Sequence, residues 1–207
     1  MSRIEIVQFP YLSDNYGVLL HDSHTHQTVA IDAGDDTAYN QALDSKGWRL
    51  SQIWVTHHHW DHTDGINALN ERWQCGVIGP AKHSDNPIAH LSTGLEEGDI
   101  FQFADMPVEI LHTPGHTLDM LNYYLPSENI LFAGDTLFSL GCGRVFEGTM
   151  DMMSQSISKI SALPDETMIY CSHEYTQANG KFALSVDADN QMLISRINEV
   201  ELLIKQG

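Results

Sequence analysis

The run Thr56-His57-His58-His59-Trp60-Asp61-His62 places four metal-ligand side chains, His57, His59, Asp61 and His62, within six residues. In an extended segment alternate side chains share a side, so His57 and His59 point together. Where the chain then turns, Asp61 and His62 can face back toward the same centre. Imidazole nitrogen and carboxylate oxygen suit zinc, iron or manganese better than copper(I), which favours sulfur. Three later positions offer the same chemistry: His116 in Thr113-Pro114-Gly115-His116-Thr117, Asp135 in Ala133-Gly134-Asp135-Thr136, and His173 in Cys171-Ser172-His173-Glu174. Each has an ordinary reading when taken alone. A histidine-rich loop binds metal adventitiously, a lone histidine in a turn is a surface or capping residue, and an aspartate after glycine forms a turn or a helix cap. A metal centre is argued from all of them together, in this order, each in a loop at a strand end, where sites are built on a rigid scaffold.

The elements that must position these residues follow from periodicity. Ile4 to Phe9 alternates as a strand, Gly17 to Leu20 follows a turn at Ser13-Asp14-Asn15, and Thr28 to Asp32 ends in Ala33-Gly34. His21 to His26 reads as a solvated hairpin tip. Asp36 to Lys46 is a helix stopped by Gly47, and Ile53 to Thr56 is a buried strand that runs into the histidine cluster. A helix follows from about Thr63 to Trp73, then a strand from Cys75 to Ile78. Further strands are expected at Ile100–Phe103, Val108–His112, Met120–Leu125, Ile130–Ala133 and Thr167–Cys171. Helices are expected at Met150–Leu163, Gln177–Val186 and Asn190–Gln206, the last with Leu193, Ile197, Val200 and Ile204 on one face. Two β-rich halves, each followed by helices, imply two packed sheets with helices outside.

Composition narrows the class. The chain of 207 residues is 42% apolar and 9% aromatic, enough to build a full core. Twenty-eight acids against 10 bases give a net charge of −18. Such a surface repels phosphate backbones and anionic lipid, so neither nucleic acid nor membrane is an expected partner. Cys75, Cys142 and Cys171 are odd in number and far apart, which fits a reducing compartment better than a disulfide framework. The start Met1-Ser2-Arg3-Ile4-Glu5 has no apolar signal core, and no run has the length of a membrane span. A cytoplasmic location is the expectation.

The ordered set His-x-His-x-Asp-His, a Gly-His-Thr histidine, a Gly-Asp aspartate and a late histidine resembles the metallo-β-lactamase superfamily. The block Gly134 to Thr149, with Ser172 to Thr176 and Lys181-Phe182-Ala183, resembles its type II glyoxalases, the hydroxyacylglutathione hydrolases. The likeness covers nearly the whole chain. It implies an α/β (α+β) fold, a four-layer αββα sandwich over residues 1–174, followed by a shortened helical segment, 175–207. It implies two divalent ions, zinc first and iron or manganese as alternatives. His57, His59 and His116 would hold one, Asp61, His62 and His173 the other, and Asp135 would bridge them. The implied reaction is hydrolysis of S-(2-hydroxyacyl)glutathione, typically S-D-lactoylglutathione, by hydroxide shared between the ions, with Asp61 orienting it or taking its proton.

The same resemblance assigns substrate contacts to Arg144, Phe146 and Tyr175. Arg144 suits a carboxylate but is also an ordinary surface base, Phe146 lacks a hydroxyl if the family position is tyrosine, and Tyr175 is equally a packed aromatic. Asp119-Met120 stands where the family commonly has Gly-His, and neither is counted as a ligand. Typical members continue into a further helical segment with basic residues for glutathione, whereas this chain stops at Gly207. The expectation is an intact metal centre with weakened glutathione affinity, and exposed Leu202 and Leu203 on a monomer or weak homodimer. His21, His24 and His26 are expected in solvent, His58, His83, His90 and His112 have no partner pattern, and Cys142 is no ligand. The rivals are a lactonase, β-lactamase, persulfide dioxygenase or general thioesterase on the same scaffold, or a catalytically weak metal-binding variant. A nuclease is least expected, since 10 bases build no basic groove.

Overall fold

The structure, a computed structural model, describes residues 3–81 and 87–206. The first half forms β1 (Ile4–Tyr11), β2 (Asn15–Asp22), β3 (Thr28–Ile31), α1 (Asp36–Lys46), β4 (Gln52–Trp54), α2 (Trp60–Thr63), α3 (Ile66–Trp73), β5 (Gly76–Pro80) and β6 (Leu91–Leu95). These strands pair in sequence order as one six-stranded sheet, antiparallel from β1 to β3 and parallel from β3 to β6. The second half forms β7 (Ile100–Phe103), β8 (Met106–His112), β9 (Leu121–Leu125), β10 (Ile130–Gly134), a small hairpin of β11 (Leu137–Phe138) and β12 (Gly141–Cys142), then α4 (Met150–Ser161), β13 (Met168–Cys171), α5 (Thr176–Val186) and α6 (Gln191–Gln206). Its five-stranded sheet runs β13-β10-β9-β8-β7, antiparallel except where β13 lies parallel to β10.

Three apolar clusters define the layers. Val18, Leu20, Val29, Ile31 and Trp54 of the first sheet meet Phe103, Val108, Ile110, Tyr123 and Phe132 of the second. Trp54 anchors this seam, edge-on to Phe101 and Phe103 and stacked on Tyr123 at 5.3 Å. Leu19, Ala30, Ile53, Val55 and Val77 point the other way, onto Tyr39 and Leu43 of α1 and Ile66 and Leu69 of α3. Tyr124, Leu131 and Ala133 pack on Ile160 of α4 outside the second sheet. The order helix, sheet, sheet, helix is the expected αββα sandwich. The inner strands of the first sheet are buried on both faces, which is why they read as apolar runs rather than alternation.

Local chemistry ends the helices where the sequence says it should. Asp35 caps α1 by accepting from Thr37 N at 2.9 Å and Ala38 N at 3.2 Å, and Gly47 closes it in the left-handed region at φ 65°. Thr149 caps α4 through Met152 N.

Three expectations need correcting. The helix from Thr63 to Trp73 is broken into α2 and α3 at Asp64-Gly65. There Gly65 N donates to Ala33 O at 2.8 Å, and a Cβ on Gly65 would lie 2.6 Å from Asp36 N. The backbone is pressed against the loop after β3, and one continuous helix cannot make that approach. The strand β6 has no counterpart in the periodicity, because Ser92, Thr93 and Gly94 are exposed and only Leu95 is buried. His21 is not in solvent. Strand β2 extends through Asp22, and His21 is buried, stacked on Trp48 at 4.2 Å and hydrogen-bonded to Thr28 Oγ1 at 2.8 Å. His24 and His26 are exposed as expected, and His83 lies outside the described residues. The three cysteines are free. Among the described residues, no helix is long and apolar enough to cross a membrane.

Candidate metal centre

The loops that leave β4, β8, β10 and β13 meet at one end of the sandwich, and they bring all seven expected side chains together. His57 and His59 follow β4. His57 Nε2 lies 3.0 Å from His59 Nδ1, and His116 Nε2, from the loop after β8, lies 3.1 Å from the same atom. A tetrahedral ion with metal–nitrogen bonds of about 2.0–2.1 Å sets its ligand nitrogens roughly 3.3 Å apart, so this triangle is nearly the size required. The turn into α2 presents Asp61 and His62. Asp61 Oδ2 lies 3.5 Å from His62 Nε2 and 3.5 Å from His173 Nε2, the latter from the loop after β13.

Asp135 stands between the two groups. Its Oδ1 is 3.5 Å from His62 Nε2 and 3.4 Å from His173 Nε2, while its Oδ2 is 3.3 Å from His116 Nε2. Gly134 lets β10 deliver it there. At φ 50°, with a hypothetical Cβ 2.9 Å from Thr56 Cβ, that position has room for no side chain.

A second layer of bonds aims the rings. His62 Nδ1 is held by Asp32 Oδ2 at 2.9 Å, His173 Nδ1 by Asp14 Oδ1 at 2.9 Å, His116 Nδ1 by Arg144 O at 2.8 Å, and His57 Nδ1 by Thr56 Oγ1 at 3.0 Å. Each leaves Nε2 facing the cluster, the arrangement that orients ligand histidines. Asp61 is held by Asn15 Nδ2, which donates to Oδ2 at 3.0 Å, and by Tyr11 OH, which donates to the backbone carbonyl at 2.8 Å. Asp32, Asp14, Asn15 and Tyr11 were not anticipated. Asp32 carried the signal that identified Asp135, an aspartate just past a buried strand. Asp14 and Asn15 were visible only as turn formers.

The electrostatics call for positive charge. Burial and then the neighbouring rings of His62 and His59 hold His57 well below its ordinary range; burial, followed by nearby histidines, lowers His59. Burial is also what lowers His116, against the pull of Asp135. These three rings offer neutral lone pairs. For His62, burial alone would depress the ring, but Asp135, Asp32 and Asp61 together raise it to about 9. Burial opposes and Asp135 outweighs it at His173, which is raised too. His62 Nε2 and Asp135 Oδ1 are buried without a hydrogen-bond partner. Buried polar atoms left so are costly unless something coordinates them. The donor set, its spacing and these orphaned atoms fit two divalent cations with a shared carboxylate.

The cluster opens on a cavity of about 770 Å³. Arg144, Phe146 and Tyr175 all line it, with Trp60, Phe138 and Asn179. Arg144 is exposed, and its guanidinium sits 4.7 Å over the Phe146 ring, which in turn leans on His116. Tyr175 is more engaged than a packed aromatic. It stacks on His173 at 5.0 Å and its hydroxyl donates to Asp14 Oδ1 at 3.3 Å. Burial, then Asp14 and Asp135, push that phenol up to about 12, so it remains a donor. Cys142 is on the cavity wall but in none of the ligand groups.

Residues 15–173 match the Metallo-beta-lactamase superfamily, and the chain belongs to that superfamily. Its relatives within it include the hydroxyacylglutathione hydrolase of Ruegeria pomeroyi, 45% identical over 99% of this chain and 80% of that protein. The hydroxyacylglutathione hydrolase of Rhodopseudomonas palustris is 49% identical over 96% of this chain and 77% of that one. Among solved structures, ETHE1 from Myxococcus xanthus superposes with a TM-score of 0.72 at 32% identity, covering 83% of this chain and 76% of the other.

Proposed function

We propose that the chain hydrolyses the thioester of S-(2-hydroxyacyl)glutathione, S-D-lactoylglutathione in particular, releasing glutathione and a 2-hydroxy acid and so serving methylglyoxal detoxification. The observation that carries this reading is the division of Asp135 between two imidazole clusters, in a chain 45–49% identical to hydroxyacylglutathione hydrolases. His57, His59 and His116 would hold one cation, Asp61, His62 and His173 the other, and Asp135 both. Zinc heads the order, with iron or manganese next, since such sites accept all three. When bound, two such cations supply Lewis acidity and make a water acidic enough to lose its proton near neutral pH.

The protein's own groups do the rest. Asp61, fixed by the Asn15 amide at 3.0 Å from Oδ2, orients the attacking water or accepts its proton. The water oxygen bonds to the thioester carbon, the carbon–sulfur bond breaks, and the thiolate leaves as a weak base with little need of protonation. Arg144 takes a glutathione carboxylate at the cavity mouth, and Phe146 and Tyr175 flank the acyl-sulfur end. With 28 acids against 10 bases, an anionic substrate must be drawn by such a local site rather than by the overall field. The protein works in the cytoplasm as a monomer or weak homodimer.

The deciding measurement pairs metal content with hydrolysis of S-D-lactoylglutathione beside a β-lactam and a lactone. Two metals per chain and a preference for the thioester are expected. Two metals without thioesterase activity would overturn the proposal.

A further inference from the structure

The middle histidine of the motif, His58, had no partner pattern in the sequence, and the structure supplies one. It is buried between two carboxylates. Its Nδ1 is 3.0 Å from each oxygen of Asp119, and its Nε2 is 3.3 Å from Glu147 Oε1. Glu147 Oε2 accepts from Leu118 N at 2.8 Å, which closes the link back to the loop that carries His116. Asp119 is only 4% exposed, so its carboxylate needs the partner that His58 provides.

Around this link the two loops are stapled by backbone. Phe146 N and Glu147 N donate to His116 O at 3.2 and 3.3 Å, and Gly148 N donates to Gly115 O at 3.2 Å. The stapled segment is the one that presents Arg144 and Phe146 to the cavity.

We infer that Asp119, acting through His58 and Glu147, is a positioning residue that holds the substrate-contacting segment 143–149 against the His116 loop. The kinetic part of this inference rests on the thioesterase reading above; the conformational part does not.

The test uses the metal-loaded protein and two readouts. In Asp119→Ala, amide hydrogen exchange at Phe146, Glu147 and Gly148 accelerates while exchange in α1 is unchanged. The KM for S-D-lactoylglutathione rises roughly tenfold, the loss of about one charge-assisted hydrogen bond, with kcat within about threefold and metal content unaltered. Asp119→Asn keeps an oxygen for His58 and restores both protection and most of the KM. Unchanged exchange at 146–148 overturns the inference, as does accelerated exchange accompanied by an equal fall in metal content. If the Asp119 variant does not fold, Glu147→Ala, which removes both the His58 contact and the acceptor for Leu118 N, carries the same test, and unchanged exchange there overturns it equally. A wild-type protein inert toward the thioester removes the functional reading alone, and the exchange measurement still decides the clamp.

Discussion

Asp32 shows how much of the centre depends on residues that touch no substrate. It adopts φ 59°, which aspartate tolerates better than most side chains, and it accepts from Thr56 N at 2.7 Å, Thr56 Oγ1 at 2.9 Å and His62 Nδ1. Replacing it by asparagine keeps the volume but turns one acceptor into a donor. Asp32→Asn is expected to weaken metal retention by about 10–100-fold, measured by chelator competition. Arg144 acts at the opposite extreme of burial. Arg144 is exposed, so an ion pair between it and a substrate carboxylate would be screened by solvent and modest. Arg144→Ala should raise KM for the glutathione thioester by roughly tenfold or less and leave kcat nearly unchanged in steady-state kinetics. An equal fall in kcat would move Arg144 from binding to the chemical step.

At the scale of elements, the break at Gly65 is the most exacting local feature. A methyl group there meets Asp36 N at 2.6 Å and Ala33 O at 2.9 Å, both backbone atoms with no easy escape. Gly65→Ala should cost about 1–3 kcal/mol by overpacking, read as a lower midpoint in denaturant unfolding with an unchanged slope. The break falls at Asp64-Gly65, a turn-type pair that a helix placed from about Thr63 passes over. The seven candidate ligands were legible since each is a ligand-type residue at the end of a strongly apolar strand. The partners that aim them were not, because pairs such as His173 with Asp14 join residues 159 apart. The αββα layering was legible from the order of elements. The small strands were not: β6 exposes its centre, and β11 and β12 have two residues each. His21 was misread since polar residues surround it, yet burial against Trp48 is set by tertiary packing.

Across the whole molecule, the end of the sandwich away from the site has its own fastening. Asp22, at the end of β2, accepts from Arg3 Nε at 2.6 Å, Thr25 N at 2.8 Å and Thr25 Oγ1 at 2.5 Å, and Arg3 also donates to Ala104 O at the β7–β8 turn. Burial would raise the Asp22 carboxyl, but Arg3 and Thr25 outweigh it and hold it well below the usual carboxylate range. A carboxyl depressed on folding stabilises the native state above its ordinary pKa of about 3.8, and that contribution is lost as pH falls through the lowered value. Asp22→Asn should therefore melt below wild type at neutral pH, with the gap narrowing as pH drops below about 3.8, by thermal denaturation across pH. A gap that stays constant into acid would show that packing, not charge, sets it.

Each cation cluster takes side chains from both sheets: His57 and His59 with His116, Asp61 and His62 with His173 and Asp135. The sandwich is thus fastened at both ends, by Arg3 at one and by the ligand loops at the other. Filling the clusters crosslinks the halves much as a disulfide would, but reversibly and under the control of metal supply. Stripping the ions would remove the ties at one end only, since the Trp54 seam and Arg3 still join the sheets, so faster proteolysis confined to the ligand loops is the expected outcome.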